Sequence, residues 1–245
     1  MTKPMPSLRI SVITPTIRPE GLQLVRKALA GQTFRDFEWL IGSPFDPGMG
    51  IWVKDDFEGG LWSLNRIYNR LISEANGQLL VSWQDFTWGR PDTLERFWYC
   101  YELEPKTLVS GVGNKYEDET WVVKTWQDPR ERDDQGSFYP CDFADIEWNF
   151  CAVPKEALYA IGGFDEGADF EYLGMDGYGV NERLWDLGGW DFKLNQRIKS
   201  FSLGHGRVKD WEKLNGIHGK YVARRERLKA LGQWPKMDCL DNPKP

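Results

Sequence analysis

A carboxylate, Asp85, follows a short apolar run in the middle of the chain. The run Leu79–Val81 indicates a buried strand. Before it, Asn76-Gly77 is typical of a helix C-terminus, and after it Pro91 is typical of a helix start. Because ligands of open α/β sheets bind beyond the carboxyl ends of the strands, Asp85 is a candidate functional residue. The alternative is that Asp85 only caps a turn, which aspartate does well.

The elements that would position Asp85 alternate between strands and helices. The sequence predicts strands over Leu8–Ile13 and Phe37–Ile41, and amphipathic helices over Pro19–Ala30 and Leu61–Ala75. Residues 42–60 are rich in glycine and proline, which predicts an irregular loop. With the strand before Asp85, this order predicts a parallel sheet with right-handed crossovers.

The second half of the chain carries further strand and helix patterns. Strands are predicted over Thr107–Val112, Thr120–Trp126, Ile146–Val153 and Asp191–Leu203. Helices are predicted over Pro91–Leu103, Pro154–Ile161 and about Val180–Leu187. The tail after residue 209 is helical, and its basic residues are Lys220, Arg224, Arg225, Arg227 and Lys229.

The composition is that of an ordinary globular protein and argues against some functions. Of 245 residues, 41% are hydrophobic and 28% charged, and the net charge of −6 argues against a nonspecific nucleic-acid binder. None of the four cysteines forms a Cys-x-x-Cys pair, so we expect reduced thiols and no structural zinc site. No segment has the pattern of a signal peptide or the roughly 20 apolar residues of a membrane span, which predicts a cytoplasmic protein.

Three segments resemble the GT-A fold, family 2-like glycosyltransferases, in the family's order. They are SVITPTIRPEGLQLVRKALAGQTFRDFEWLIG, GGLWSLNRIYNRLISEANGQLLVSWQD and NFCAVPKEALYAIGGFDE. The resemblance covers about Leu8–His205 and implies an α/β, Rossmann-like GT-A domain with a mixed, mainly parallel sheet flanked by helices. It divides the chain into a GT-A domain over residues 1–205 and a helical extension over 206–245. Within the domain, residues 1–110 would bind the nucleotide sugar and 111–205 the acceptor.

This resemblance implies a chemistry. A nucleotide-diphosphate sugar would lie at the carboxyl edge of the sheet. A divalent ion, Mn²⁺ or Mg²⁺, held by an Asp-x-Asp motif, would neutralise the leaving diphosphate, and hard carboxylate oxygens suit both ions. In inverting members an acidic residue at the start of a later helix deprotonates the acceptor hydroxyl.

The metal motif is only partly matched in this chain. Gln84-Asp85-Phe86 stands where the family has Asp-x-Asp, so Asp85 is its one anionic residue. The resemblance implies a second metal ligand after the last strand, at His205. The alternative for His205 is a loop histidine hydrogen-bonded to the backbone.

The nucleotide-binding residues follow from the same resemblance. Thr14, Pro15 and Thr16 are expected to line the nucleobase, with Asp46 or Ser43 on its opposite side, and Gln84 close to the donor. Arg18 and Arg66 are candidates for phosphate contacts. Their alternatives are a solvated surface charge for Arg18 and a surface ion pair with a helix neighbour for Arg66.

Two acidic residues are candidates for the catalytic base. Glu182 is expected to open a helix, where a carboxylate is stabilised in its charged form, and Asp176 precedes it in a glycine-rich loop. The alternative for Glu182 is simple capping of the first turn.

The sequence therefore predicts a metal-dependent, inverting glycosyltransferase with a UDP-linked donor by default. One alternative is a sugar nucleotidyltransferase, against which the lack of a glycine-rich phosphate loop in TPTIRPEG argues. Another is a nucleotide- or glycan-binding module with an altered Asp-x-Asp. The acceptor stays open between a glycan, a lipid-linked sugar, a protein and a modified nucleobase. The basic tail leaves a polyanionic acceptor, a membrane surface and a dimer contact open.

Overall fold

Ten strands of the described part of the chain form a mixed sheet at the centre of the protein. The computed structural model describes residues 8–55, 63–132, 137–172, 177–204 and 217–240. The strands are β1 (Ile10–Pro15), β2 (Phe37–Ser43), β3 (Ile51–Lys54), β4 (Leu79–Trp83), β5 (Thr87–Gly89), β6 (Thr107–Tyr116), β7 (Lys124–Trp126), β8 (Phe138–Pro140), β9 (Phe150–Pro154) and β10 (Asp191–Leu203).

One side of the sheet is parallel throughout, whereas the other side combines antiparallel pairs with the parallel pair β6–β10. The strand order of the sheet is β3-β2-β1-β4-β9-β6-β10-β5, with β7 beside β6 and β8 beside β10. The pairs β2–β3, β1–β2 and β1–β4 are parallel, whereas β9 is antiparallel to both β4 and β6. The carboxyl ends of β1 to β4 therefore meet at one edge, where the sequence predicts the ligand. The predicted α/β class and mixed sheet are confirmed.

Helices cover both faces of the sheet. They are α1 (Pro19–Ala30), α2 (Leu64–Glu74), α3 (Thr93–Leu103), α4 (Lys155–Ala160), α5 (Gly167–Tyr172), α6 (Gly177–Leu187) and α7 (Ile217–Ala230). Alternate strand residues face opposite sides: Val12 packs with α1 and α3, and Ile13 packs with α2, α4 and α6. In the described ranges, no helix combines the length and the apolar composition needed to cross a membrane.

Several short elements were not predicted. Strand β3 lies inside the predicted loop over residues 42–60. Its four residues follow a glycine with positive φ, Gly50, and the side chains of Ile51 and Trp52 are exposed at the sheet edge. Such a short edge strand has no alternating apolar pattern. Strands β5 and β8, with three residues each, and the six-residue α5 were missed for the same reason. Helix α6 begins at Gly177 rather than near Val180.

Helix α7 is held against α5 and α6 by ion pairs. Arg224 binds both carboxylate oxygens of Asp165 and also contacts Glu171, and Arg227 binds Glu171 as well. Arg225 binds Glu182, with 2.7 Å between Nη1 and Oε1. These three arginines of the basic tail are thus engaged within the chain itself.

All four cysteines are free, as expected from the sequence. Burial raises the pKa of the Cys141 thiol to about 12 and raises those of Cys100, Cys151 and Cys239 above their ordinary value. Since the thiolate is the reactive form, we expect all four to react slowly with a disulfide reagent at pH 8. A spectrophotometric titration should register four rapid equivalents only after denaturation in urea; a rapid equivalent in the native protein would contradict this.

Candidate functional site

The carboxylate of Asp85 is buried at the carboxyl edge, where it binds two residues of the β1–α1 loop. Only 2% of its side chain is exposed. Its Oδ2 accepts hydrogen bonds from Thr16 Oγ1 at 2.5 Å and Arg18 Nε at 3.0 Å, and its Oδ1 accepts one from Arg18 Nη2 at 2.6 Å. Both carboxylate oxygens are thus engaged, in the two-pronged geometry that arginine and carboxylate favour.

The local backbone is shaped to make this contact. Phe86 has φ +56°, a conformation rare for a bulky residue, and its ring lies 5.3 Å from the Arg18 guanidinium. The turn packs on the first turn of α1 at Gly21, where a Cβ would lie 2.5 Å from Phe86 Cδ2 and 2.9 Å from Asp85 Cβ. Gly21 is therefore what lets α1 approach the Asp85 turn.

Of the predicted nucleobase residues, Thr14 and Pro15 are buried at the end of β1. Thr14 Oγ1 donates to Trp83 O at 2.7 Å and accepts from Trp39 Nε1 at 2.9 Å, so its hydroxyl joins β1, β4 and β2. Thr16 contacts Asp85 and accepts from the Arg18 backbone N–H at 2.9 Å. In the structure, the Thr14 hydroxyl therefore links neighbouring strands of the sheet, and Thr16 lies next to Arg18.

The end of β2 and the loop after it carry the other two residues predicted to contact the nucleobase. Ser43 is buried and its hydroxyl donates to Phe45 O at 2.5 Å, while Asp46 is exposed and accepts from Gly48 N at 2.8 Å within its own turn. Neither side chain joins the Asp85 cluster in these contacts.

Asp55, which the sequence analysis missed, is a second buried carboxylate at this edge. Arg66 Nη2 donates to its Oδ1 at 3.0 Å, and its buried Oδ2 has no hydrogen-bond partner among the described residues. Arg66 thus forms an ion pair, but with a buried carboxylate just after β3 rather than with a surface residue of its own helix. A carboxylate directly after a strand was the available signal, but β3 itself was not predicted.

A cleft of about 310 Å³ opens beside Gln84. Its lining residues are Gln84, Thr87, Lys115, Asn149, Ser202, Leu203 and Gly204. Amide, hydroxyl and ammonium groups of this kind can hydrogen-bond the hydroxyls of a sugar. Two of these lining residues are joined by a backbone hydrogen bond, in which Gln84 N donates to Asn149 O at 3.0 Å.

The carboxylate of Glu147 and the ring of Trp126 lie next to this cleft. Both line a small neighbouring pocket that shares Lys115, Asn149 and Ser202 with it. Asn149 Nδ2 donates to Glu147 Oε2 at 3.1 Å, and Trp126 is exposed at the surface. The sequence analysis missed Asn149 and Glu147, because it read them as part of a strand that in fact begins at Phe150.

Glu182 does not open a helix as predicted. Helix α6 begins at Gly177, so Glu182 lies in its second turn, and its carboxylate binds Tyr221 and Arg225 of α7. The reason for preferring Glu182 as a base is therefore wrong, and its side chain has a structural partner on each oxygen. Asp176 and His205 lie outside the described residues.

The predicted metal site of Asp85 and His205 lies only partly within the described residues. Within the described part of the chain, no group of three or more histidine, cysteine or acidic side chains is arranged to hold a metal ion. Asp85 alone supplies an anionic group at the motif, and Thr16 and Arg18 occupy its oxygens. A divalent ion at Asp85 would have to displace these donors and would lie next to a guanidinium charge.

The comparisons with known proteins agree with the fold. No protein-family model matches the chain, and a search of curated protein sequences gave no significant match. The crystal structure of GalNAc-T7 with UDP, GalNAc and Mn²⁺ superposes with a TM-score of 0.61 at 12% identity, covering 81% of this chain and 44% of that one.

Structures of S. aureus TarS 1-349 are similarly close. The complex with UDP gives a TM-score of 0.62 and that with UDP-GlcNAc 0.63, each at 10% identity and covering 87% of this chain. The chain spans 65% and 66% of those two chains, so it is shorter than its structural neighbours. The chain therefore has the GT-A-like fold of these two glycosyltransferases, as the sequence predicted.

Proposed function

We propose that this protein is a glycosyltransferase that moves a sugar from a UDP-linked donor to an acceptor hydroxyl. The observation that carries the proposal is the Thr16–Arg18–Asp85 cluster at the carboxyl edge, with the 310 Å³ cleft beginning at the adjacent Gln84. The cluster offers N–H donors to a diphosphate, and the cleft offers polar groups to a sugar. The UDP complexes of GalNAc-T7 and TarS support the choice of donor.

In the proposed reaction, one bond is exchanged at the anomeric carbon. The acceptor hydroxyl oxygen forms a bond to that carbon, and the bond to the diphosphate oxygen breaks, its electron pair leaving with UDP. The hydroxyl proton passes to a carboxylate base. Asp176 is our preferred base, because Glu182 is bound to α7. A single displacement of this kind inverts the configuration of the sugar.

We infer that the acceptor enters from the side of Trp126 and Glu147. Trp126 is exposed beside the cleft, and a flat ring of this kind can stack on the apolar face of a sugar. Three arginines of α7 form ion pairs with Asp165, Glu171 and Glu182. Their positive charge is therefore less available to a polyanionic acceptor than the sequence alone suggested. A glycan acceptor fits this surface best.

A binding module without turnover is the second candidate. It is favoured by Gln84 and Phe86, which replace the carboxylates of the family's motif. The two functions differ in one observable, the release of UDP from a UDP-sugar.

The test measures UDP binding by calorimetry and UDP release from UDP-GlcNAc and other UDP-sugars. We expect UDP to bind and at least one UDP-sugar to be turned over, slowly to water and faster with a glycan acceptor.

Asn149→Ala should keep UDP affinity but lower turnover about 10–100-fold, because a hydrogen bond to the reacting sugar is worth about 1–3 kcal/mol. Asn76→Ala, at the opposite edge of the sheet, is the matched control. Absence of UDP binding by the wild type would overturn the proposal, and binding without turnover would favour the module.

A further inference from the structure

We propose that Arg18, rather than a divalent metal ion, supplies the positive charge that stabilises the leaving diphosphate, and that Asp85 is the residue that positions Arg18. The inference rests on the proposed function, because it concerns the charge balance of the same donor site. It reverses the role that the family resemblance implies for Asp85.

The chemistry of the motif is the first argument. An Asp-x-Asp motif binds Mn²⁺ or Mg²⁺ because its carboxylates present several anionic oxygens to a hard cation. Here the flanking positions hold the amide of Gln84 and the ring of Phe86, which leaves the two oxygens of Asp85. Three hydrogen bonds already reach those oxygens. A metal ion would have to break them and would then repel the guanidinium.

The geometry of Arg18 is the second argument. Asp85 engages Nε and Nη2, and within the described part of the chain no hydrogen bond reaches Nη1. The side chain is 33% exposed, whereas Asp85 is 2% exposed, so the guanidinium is the more accessible member of the pair. A planar guanidinium with free N–H groups suits two phosphate oxygens, and it carries its charge at every physiological pH.

The rigidity of the cluster is the third argument. The Arg18 backbone N–H donates to Thr16 Oγ1 at 2.9 Å, and the Phe86 ring packs 5.3 Å from the guanidinium. Charge that is fixed in place before the reaction stabilises a leaving group without reorganisation. When the bond between the anomeric carbon and the diphosphate oxygen breaks, the electron pair adds one negative charge to UDP. The N–H groups of Arg18 would stabilise that charge.

Calorimetry with UDP, in EDTA and in Mn²⁺, tests the inference on the wild-type protein. We expect the affinity for UDP to agree within about twofold in the two buffers, and UDP release from the UDP-sugar to survive EDTA. A loss of UDP affinity in EDTA of about tenfold or more, restored by Mn²⁺, would overturn the inference while leaving the proposed function intact. Chelation also tests any metal site to which His205 contributes.

Two substitutions separate the charge of Arg18 from its shape. Arg18→Gln should weaken UDP binding about 10–100-fold, the usual range for charge-assisted hydrogen bonds, and should weaken binding of uridine hardly at all. Arg18→Lys keeps the charge but loses the planar fork, so we expect an intermediate affinity.

Arg9→Gln is the matched control, since Arg9 also pairs with an aspartate, Asp36, at the opposite edge of the sheet. Unchanged UDP affinity in a folded Arg18→Gln variant would overturn the inference. If that variant does not fold, the lysine variant and the chelation experiment still decide it.

Discussion

Gly162→Ala should lower the free energy of unfolding by about 2–5 kcal/mol, the sum of a conformational and a steric cost. Gly162 has φ +72°, and a Cβ built on it would overlap the backbone carbonyl of Met237. The C-terminal segment packs against the turn at Gly162. Met237 N donates to Ile161 O at 2.9 Å, and Leu240 N donates to Gly162 O at 3.1 Å. The turn is also held from its other side, because Arg183 Nη2 donates to Gly163 O at 2.7 Å, so it cannot easily move away from Met237.

Gly188→Ala is the matched control for this substitution. Gly188 has φ +77°, but a Cβ there would meet no atom of the described residues within 4 Å. It should therefore show the conformational cost alone, about 1–2 kcal/mol. Urea denaturation followed by tryptophan fluorescence gives both values. Equal destabilisation by the two substitutions would mean that the C-terminal segment does not pack on Gly162 in solution.

Asp85→Asn should lower the rate of UDP release from a UDP-sugar about 100-fold, because a small misplacement of a positioning group costs about that factor. The asparagine amide would turn one hydrogen-bond acceptor into a donor that faces Thr16 Oγ1 or the Arg18 guanidinium. Arg18 would then lose its fixed orientation. The rate is measured as UDP production, and circular dichroism checks that the variant is folded.

A double-mutant cycle with Arg18→Gln shows through which residue Asp85 acts. If Asp85 only positions Arg18, the double variant should be no slower than Arg18→Gln alone. Additive losses would show that Asp85 contributes independently, as a metal ligand would. Asp36→Asn, in the Arg9 ion pair, should leave the rate unchanged and serves as the control.

The sequence alone determined the long elements of the fold. Helix α1 was predicted with its observed ends, Pro19 and Ala30, and β10 with its observed ends, Asp191 and Leu203. Helix α1 buries residues at intervals of three and four, and β10 is a long strand in which burial alternates on either side of an irregularity between Leu194 and Lys199. Such patterns are readable without the rest of the molecule. The predicted position of Asp85 beyond a buried strand is confirmed for the same reason, since β4 is apolar throughout its first three residues.

The tertiary structure alone decided what the polar residues contact. Arg18 and Asp85 are 67 positions apart, and nothing in their separate surroundings indicates that each would take the other as its partner. The same holds for Glu182, which meets Arg225 only because α7 packs on α6, and for Asp55, whose strand is too short to be read. Local sequence periodicity records which face of an element is buried. The partner of a charged side chain depends on how distant elements pack. The sequence therefore identified Asp85 as a candidate, and only the fold showed that Arg18 is its partner.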